Sequence, residues 1–377
     1  MEYYITEYES KKGSVERGAV LEDSIMHKGR RVTAGSKILE NFVSPITATV
    51  VDRMQSAGFR ILGKTKMDEF GIGKLLNADI EKPRDSEKGS EDCNIGSERS
   101  GAVAAVADGL ADIALCNDYT GFVALEAARR GLFYIHPTYG TVSRYGLVSA
   151  VSSMDQIGII CKKPKDGFDV LDIISGFDEK DGAMISTAAA DSGKAELSAQ
   201  PTGLRIGVPF NAPGSDFDVS KISAISDDHT AVAADIEHHG IYLQVMRILC
   251  CAELSNNISR YDGIKFGYRA KEYGSLQELY TKSRTEAFGN DVKLSALIGS
   301  LVLSTGNYDK YYDKAMRIRR LIKQSLDFTK YDLLVAPHPC LARLCGLPAI
   351  TVPHEDGAVT ILADALCEKK LRSGYEG

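Results

Sequence analysis

The 377-residue sequence lacks three features that each mark a whole class of protein. It contains no apolar run of the roughly 20 residues that a membrane-spanning helix requires. Its first residues, MEYYITEYESKKG, have no apolar core of the kind found in signal peptides. Its eight cysteines are irregularly spaced and include no Cys-x-x-Cys pair, which favours a reducing compartment over a disulfide scaffold. We therefore expect a cytoplasmic protein that does not contact a membrane.

The sequence also lacks an excess of positive charge. Its 45 basic and 51 acidic residues give a net charge of −6, whereas a general nucleic-acid-binding protein needs a basic face. Direct binding to nucleic acid is therefore not expected. A basic helix is the one local exception; it is typical of a solvated surface but could contact RNA, and it carries Arg317, Arg319, Arg320 and Lys323.

Helix-like and strand-like patterns alternate along the chain. Apolar residues recur at helical spacing between positions 46 and 57, and the strand-like run FRILGKT follows directly. ADIALC reads as a buried strand, Tyr311 to Phe328 as a long helix, and YDLLVAP and AITVP as a last strand pair. The stretch 176–203, rich in Ala, Ser, Asp and Gly, reads as an exposed linker. The pattern predicts an α/β protein with a central mixed sheet covered by helices.

The segment Gly96 to Ala128 carries the strongest hint of chemistry. A turn of small residues leads into an Ala/Val helix, then into a short apolar strand, a second turn and another Ala-rich helix. Backbone N–H groups in such turns can hold an oxyanion, so the layout is typical of a hydrolase core. The pocket that we expect there is formed by Arg99, Ser100, Asp118, Tyr119, Thr120 and Gly121.

Several further segments resemble the amidase signature family, and within it the A subunits of tRNA-dependent glutamyl/aspartyl amidotransferases. They occur in the family's order across nearly the whole chain: TAGSKILENF (Thr33 to Phe42), GKTKMDEFGIG (Gly63 to Gly73), HPTYGTVSRYGLVSAVSSMDQIG (His136 to Gly158), SNNISRYDGIKFGYR (Ser255 to Arg269) and the closing CGLPAITVP. The resemblance implies the amidase-signature fold, a large mixed, twisted β-sheet sandwiched between layers of α-helices. It also implies a single domain over residues 1–377, and B-type and C-type amidotransferase subunits as partners.

The family's chemistry uses a serine nucleophile, a second serine in a cis peptide that relays its proton, and a buried neutral lysine as the final base. The resemblance places Glu22 at the position of the lysine, Glu98 at the relay serine and Phe122 at the nucleophile. All three positions of the triad are therefore predicted to be replaced, and no catalytic residue of the family remains intact.

The substitutions allow two interpretations of the pocket. In one, the site has lost selection and is refilled by residues that pack or solvate well, with Phe122 in the space of a substrate amide. In the other, Glu22 and Glu98 form a new acid/base pair. Two carboxylates about 4 Å apart repel by about 4 kcal/mol at a surface-like dielectric, so the pair would need a proton or a cation, and Arg99 would supply the counter-charge. A metal site is not expected, since two carboxylates rarely hold a cation without further ligands. No cofactor is expected.

Substrate recognition is predicted to be lost as well. In the family, the segment that matches Asp291 to Lys293 continues into a basic pair that holds the glutamine carboxylate, whereas here Leu294 and Ser295 follow. The family's longer loop before the final GLPA segment is shortened here, after Pro337.

Three groups of cysteines offer weaker alternatives. The set His338, Cys340 and Cys345 could be read as metal ligands, but its spacing fits no standard zinc pattern. Cys116 could be a reactive thiol, although its strand should bury it. The pair Cys250–Cys251 lies in an apolar stretch and reads as core.

The sequence thus supports one leading hypothesis and two alternatives. The leading one is a catalytically inactive pseudoenzyme that serves as a binding or structural subunit of a protein complex. The alternatives are an amide hydrolase or amidotransferase subunit with a site rebuilt on Glu22 and Glu98, and a binding protein for an unknown small ligand.

Overall fold

In a computed structural model, the chain is described over residues 4–8, 17–76, 100–186, 203–210, 229–355 and 357–373. Eleven strands of this part form one sheet with the order β1-β3-β2-β4-β6-β5-β10-β11-β9-β7-β8. The strands are β1 (Tyr4–Glu7), β2 (Gly18–Glu22), β3 (Arg60–Thr65), β4 (Ile113–Asn117), β5 (Phe133–His136), β6 (Ile157–Cys161), β7 (Arg205–Pro209), β8 (Thr230–Ala234), β9 (Leu333–Ala336), β10 (Ala349–His354) and β11 (Gly357–Ala363).

The sheet is mixed, as the sequence predicts. Strand β2 is parallel to β3 and β4, and β7 is parallel to β8 and β9. The pairs through β6, β5, β10 and β11 in the middle of the sheet are antiparallel. Because antiparallel neighbours separate two parallel groups, the order is that of a mixed sheet rather than a doubly wound parallel one.

Helices pack on both faces of the sheet. The α-helices in the described part are α1 (Thr49–Ser56), α2 (Gly73–Leu76), α3 (Gly101–Ala107), α4 (Phe122–Arg129), α5 (Pro164–Ile174), α6 (Tyr242–Asn257), α7 (Leu276–Ala287), α8 (Asn290–Leu303), α9 (Lys314–Ser325), α10 (Cys340–Cys345) and α11 (Glu368–Ser373). Within β4, Ile113 and Leu115 join the core beneath α1 and α5, whereas Ala114 and Cys116 join the core beneath α3 and α4. This alternation is the two-residue period of a strand that is buried on both faces. The large mixed sheet between helices confirms the predicted fold class.

Two sequence predictions need correction. YDLLVAP and AITVP form β9 and β10, but they are not neighbours, because β11 lies between them and pairs with both. The Asp-Gly pair at positions 356 and 357, whose glycine begins β11, is a known hairpin signal and marks the missed strand. The predicted helix over Tyr311 to Phe328 is shorter: α9 ends at Ser325, and a π-helical stretch, Asp309–Asp313, precedes it.

The start of the predicted linker contacts the body of the protein. Asp181 forms an ion pair with Arg144, with 2.9 Å between Oδ1 and Nη2. The Ile185 N–H donates to the carbonyl of Gly140 over 2.9 Å. The remaining linker residues up to 202 lie outside the described part. Within that part, every helix is too short or too polar to span a bilayer.

Candidate functional site

The turn between β4 and α4 is organised by one carboxylate. Asp118 accepts the N–H groups of Gly121 over 2.7 Å and of Ala124 over 2.9 Å, so it satisfies backbone donors that the start of a helix leaves open. Gly121 has a φ of 90°, and a Cβ there would lie 2.9 Å from the Cβ of Pro339. Only glycine fits this position, because it tolerates both the left-handed conformation and the close approach.

A buried arginine neutralises this carboxylate. Arg343, in α10, places Nη2 3.2 Å from Oδ2 of Asp118, and its Nε donates to the Asp118 carbonyl over 3.1 Å. Both side chains are fully buried. A charge in such a position is tolerated only when it is paired and hydrogen-bonded, so the ion pair fixes α10 against the turn.

Three of the backbone donors expected to hold an oxyanion at this turn are already occupied. The N–H groups of Gly121 and Ala124 are already bound by the Asp118 carboxylate, and that of Phe122 donates to Thr120 Oγ1 over 3.3 Å. An incoming oxyanion would have to displace a carboxylate that Arg343 already neutralises. The sequence expectation fails for these three donors because it did not include the internal acceptors.

Phe122 is the first residue of α4. Its ring is 7% exposed and meets His338 edge-on, with 6.0 Å between the ring centroids. Burial lowers the pKa of His338 to about 4, so the imidazole is neutral at physiological pH. The side chain at the position that the family resemblance assigns to the nucleophile therefore packs into the core and has no hydroxyl.

Glu22 ends β2 and is a buried carboxyl group. Its Oε2 accepts the N–H of Asn117 over 2.6 Å and the Ser24 hydroxyl over 3.1 Å. Burial raises its pKa to about 7, although both hydrogen bonds oppose the shift. Glu22 is therefore partly protonated near neutral pH, which is the state that general acid/base chemistry uses.

A buried lysine that the sequence analysis missed lies beside it. Lys64, in β3, is fully buried; its Nζ donates to the carbonyl of Ile25 and lies 3.8 Å from Oδ1 of Asp23. Burial lowers its pKa to about 8. Lys64 within the largely apolar strand run FRILGKT was the available signal, and in β3 it lies opposite Leu21 of the parallel strand β2.

A second missed contact links three elements. Lys74, in α2, donates through Nζ to Oε2 of Glu126 in α4, and the Ser100 N–H donates to Oε1 of the same carboxylate over 3.0 Å. The two charges are 52 residues apart in the sequence, and no local pattern connects them. Ser100 caps α3 through its hydroxyl, which accepts the Val103 N–H over 3.4 Å. Its hydroxyl therefore serves the helix start, while its N–H binds the Glu126 carboxylate.

A small cavity lies where these elements meet. Its volume is about 20 Å³, enough for about one water molecule. Five of the residues singled out from the sequence line it, and the others come from the end of β4, from α2 and α4, and from the segment between β3 and α2. The lining consists of Glu22, Met67, Asp68, Gly71, Lys74, Ser100, Asn117, Asp118, Tyr119, Thr120 and Val123.

The remaining predicted site residues are placed differently. Gly121 and Phe122 directly follow the lining residue Thr120 in the sequence but do not line the cavity. Glu98 and Arg99 lie outside the described residues, so the convergence of Glu22 with Glu98 stays a prediction. Tyr119 is buried, and its hydroxyl donates to the carbonyl of Phe70 over 2.8 Å.

The residues of the metal and RNA alternatives are placed as follows; Arg317, Arg320 and Lys323 of the basic helix are exposed. No group of three or more potential ligands in this part could hold a metal ion, and Nδ1 of His338 accepts the Cys340 N–H over 3.1 Å. In the basic helix, Arg319 is turned inward and donates to the Leu344 carbonyl over 2.6 Å and to Ser153. Cys250 and Cys251 are fully buried, as predicted.

Cys116 is a core thiol rather than a reactive one. It is fully buried, and burial raises its pKa well above the usual value, so the thiolate is not populated. We therefore expect Cys116→Ser to leave the rate of thiol labelling of the native protein by an aromatic disulfide reagent unchanged. Cys367→Ser serves as the control and should remove a reacting thiol, because Cys367 is only half-buried. Slower labelling in Cys116→Ser would contradict this assignment.

Comparisons with known proteins agree with the fold. The Amidase family model matches residues 19–367. The A subunit of glutamyl-tRNA(Gln) amidotransferase from Lachnoclostridium phytofermentans is 40% identical over 367 aligned residues, covering 88% of this chain and 74% of that protein. The A subunit from Lachnospira eligens is 38% identical over 396 aligned residues, covering 94% of this chain and 82% of that protein. The crystal structure of the Thermotoga maritima A subunit matches with a TM-score of 0.67 at 25% identity, covering 98% of this chain and 85% of that one. The chain therefore belongs to the amidase signature family, where it is similar to the A subunits of glutamyl-tRNA(Gln) amidotransferases.

Proposed function

We propose that this protein keeps the amidase fold without the family's amide hydrolysis and acts as a binding or structural subunit. The observation that carries the proposal is the start of α4. There Phe122 packs against His338, and the N–H groups of Gly121 and Ala124 are bound by Asp118. Acyl transfer needs a nucleophile and donors aimed at the developing oxyanion, whereas position 122 carries no hydroxyl and three N–H groups of this turn are already bound.

Two further observations support the loss of turnover. The cavity that the described residues form beside Glu22 holds about one water molecule, which is too little space for a glutamine side chain. The alignment with the Lachnospira eligens relative spans 396 residues, more than the 377 of this chain, so that relative has residues without a counterpart here. We place part of this difference in the loop after Pro337, which the family resemblance identifies as shortened.

The relatives' names supply the proposed partner. Each is a subunit of an amidotransferase, and the shared fold extends over nearly all of this chain. We propose that the chain docks on B-type and C-type amidotransferase subunits, with another protein as the alternative. Affinity purification from the native host followed by mass spectrometry tests this: recovery of amidotransferase subunits supports the assignment, and their absence from a stable complex with other proteins contradicts it.

One observation favours a second candidate, an amide hydrolase with a rebuilt site. Glu22 has a pKa of about 7 and shares the small cavity with the Lys74 side chain. A carboxyl group that titrates near neutral pH can donate and accept a proton during catalysis. In this candidate, Glu22 and Glu98 act as the acid/base pair.

Ammonia release from glutamine by the purified protein separates the two candidates. We expect no turnover above the buffer rate, because no nucleophile is present at position 122. Turnover that Glu22→Gln abolishes and Glu179→Gln, an exposed control, retains would overturn the pseudoenzyme proposal in favour of the rebuilt site.

The combined variant Glu22→Lys, Glu98→Ser and Phe122→Ser restores the family residues and tests a further point. We expect it to stay inactive on glutamine, since the substrate-binding residues are also replaced. Circular dichroism must show that the variant remains folded. Recovered turnover would show that only the chemical groups had been lost and that substrate binding had survived.

A further inference from the structure

A second cavity lies apart from the small cavity at Glu22. Its volume is about 160 Å³, close to that of a cavity of about 150 Å³ that accommodates benzene in another protein. Seven of its eight lining residues carry polar or charged side chains, and they come from the loop 144–155 and the start of the 176–203 segment. The lining residues are Arg144, Tyr145, Leu147, Ser149, Ser152, Asp155, Lys180 and Asp181.

The contacts of two charged side chains, Arg144 and Asp155, fix these walls. Arg144 donates from Nε and Nη2 to the Asp181 carboxylate over 3.0 and 2.9 Å, and from Nη1 to Tyr139 and to the Ser152 carbonyl. Asp155 is buried and accepts the N–H groups of Ala150 and Val151. Because both charged groups are held from several sides, the shape of the cavity is set before any ligand arrives.

The hydroxyl groups in the wall have a defined direction. Ser149 donates to Oδ2 of Asp155 over 2.9 Å, so the 2.9 Å contact between the two serine hydroxyls requires Ser152 to donate to Ser149. Asn257 donates its Nδ2 to Ser152 Oγ over 3.1 Å. The hydrogens of both hydroxyl groups are therefore committed, and what these groups can still offer a ligand is acceptor oxygen.

The two cations in the wall, Arg144 and Lys180, provide positive charge and N–H donors. The Arg144 charge is balanced by Asp181, which keeps its own charge because the arginine lowers its pKa to about 2. The Lys180 ammonium lies over the Tyr145 ring, 5.0 Å from its centroid, a contact that uses no directional N–H bond. The nearby Asp178 carboxylate already accepts the hydroxyls of Thr49 and Ser143. Lys180 therefore provides the positive charge and the donors that a ligand can use.

We propose that this cavity binds a small carboxylate that carries a hydroxyl or ammonium group next to its carboxyl group. The carboxylate would pair with Lys180 and the unused N–H of Arg144 Nη2, and the neighbouring donor would bond to the oxygens of Ser149 and Ser152. The volume limits the ligand to roughly the size of lactate or alanine. The site is separate from the cavity at Glu22, so this inference does not depend on whether the protein hydrolyses amides.

Ligand-observed NMR titrations with lactate and alanine test the proposal on the full chain. Lactamide removes the ligand's charge, and propionate removes its donor. We expect lactate and alanine to bind with a Kd of the order of 1 mM and each comparison compound to bind at least about tenfold more weakly, because charge-assisted hydrogen bonds are the strong ones. Lys180→Met should reduce lactate binding to a similar extent. Lys165→Met, at an exposed position in α5, is the matched control and should leave binding unchanged.

Three results would overturn the proposal. The first is the absence of saturable binding by lactate and alanine. The second is equal binding of lactate and lactamide, which would show that charge is not recognised. The third is unchanged binding in Lys180→Met, which would place the ligand elsewhere. The glutamine assay is unaffected by all three, so failure here and failure of the proposed function remain distinguishable.

Discussion

Replacing Arg343 with methionine is expected to lower the free energy of unfolding by about 3 to 5 kcal/mol, the usual cost of breaking a buried ion pair from one side. The variant leaves the Asp118 carboxylate fully buried without its counter-charge. That carboxylate must stay in place, because it binds the N–H groups of Gly121 and Ala124 at the start of α4. Urea unfolding followed by circular dichroism measures the loss, since the chain has no tryptophan to report it by fluorescence.

A double-mutant cycle with Asp118→Asn separates the ion pair from the lost packing. Asparagine can still accept one N–H bond but carries no charge, so the double variant should be destabilised by less than the sum of the two single variants. Arg319→Met is the matched control for losing a half-buried arginine that donates to carbonyl and hydroxyl oxygens. A cost below about 1 kcal/mol for Arg343→Met, or strictly additive effects, would show that the pair does not hold the turn.

Local patterns in the sequence predicted several elements of the fold. The apolar run ADIALC forms β4 because every residue of that strand is buried, and the helical spacing between positions 46 and 57 forms α1. The missed strand β11 has half-exposed residues in its first part, so the apolar pattern there is weaker than in β4. Its place between β9 and β10 depends on long-range pairing that no local pattern encodes.

The site was harder to predict because its contacts join distant parts of the chain. The resemblance to the amidase family directs attention to Glu22 and to the turn after β4, and Glu22 and Asp118 both line the small cavity. The partners that decide the chemistry came from elsewhere: Arg343 is 225 residues from Asp118, and Lys74 is 52 residues from Glu126. A sequence pattern can identify a charged residue within an apolar segment, but only the fold shows which charge neutralises it.

The free energy of unfolding of Glu22→Gln, relative to that of the unmodified protein, is expected to increase as the pH rises. Burial raises the pKa of Glu22 from 4.5 to about 7, so the folded state binds the proton more tightly than the unfolded state does. The stability contributed by the protonated carboxyl is therefore complete below about pH 4.5 and is lost as the pH rises to about 7, by about 3 kcal/mol in total. Glutamine avoids this loss, because its carbonyl can accept the same bonds from Asn117 and Ser24 without ionising.

Urea unfolding at pH 5 and pH 8 should show the advantage of Glu22→Gln over the unmodified protein growing by about 2 to 3 kcal/mol. Glu179→Gln, at an exposed position, should show no such growth. An advantage that is the same at both pH values would mean that Glu22 stays ionised in the fold, and would also remove the observation that favours the rebuilt acid/base site.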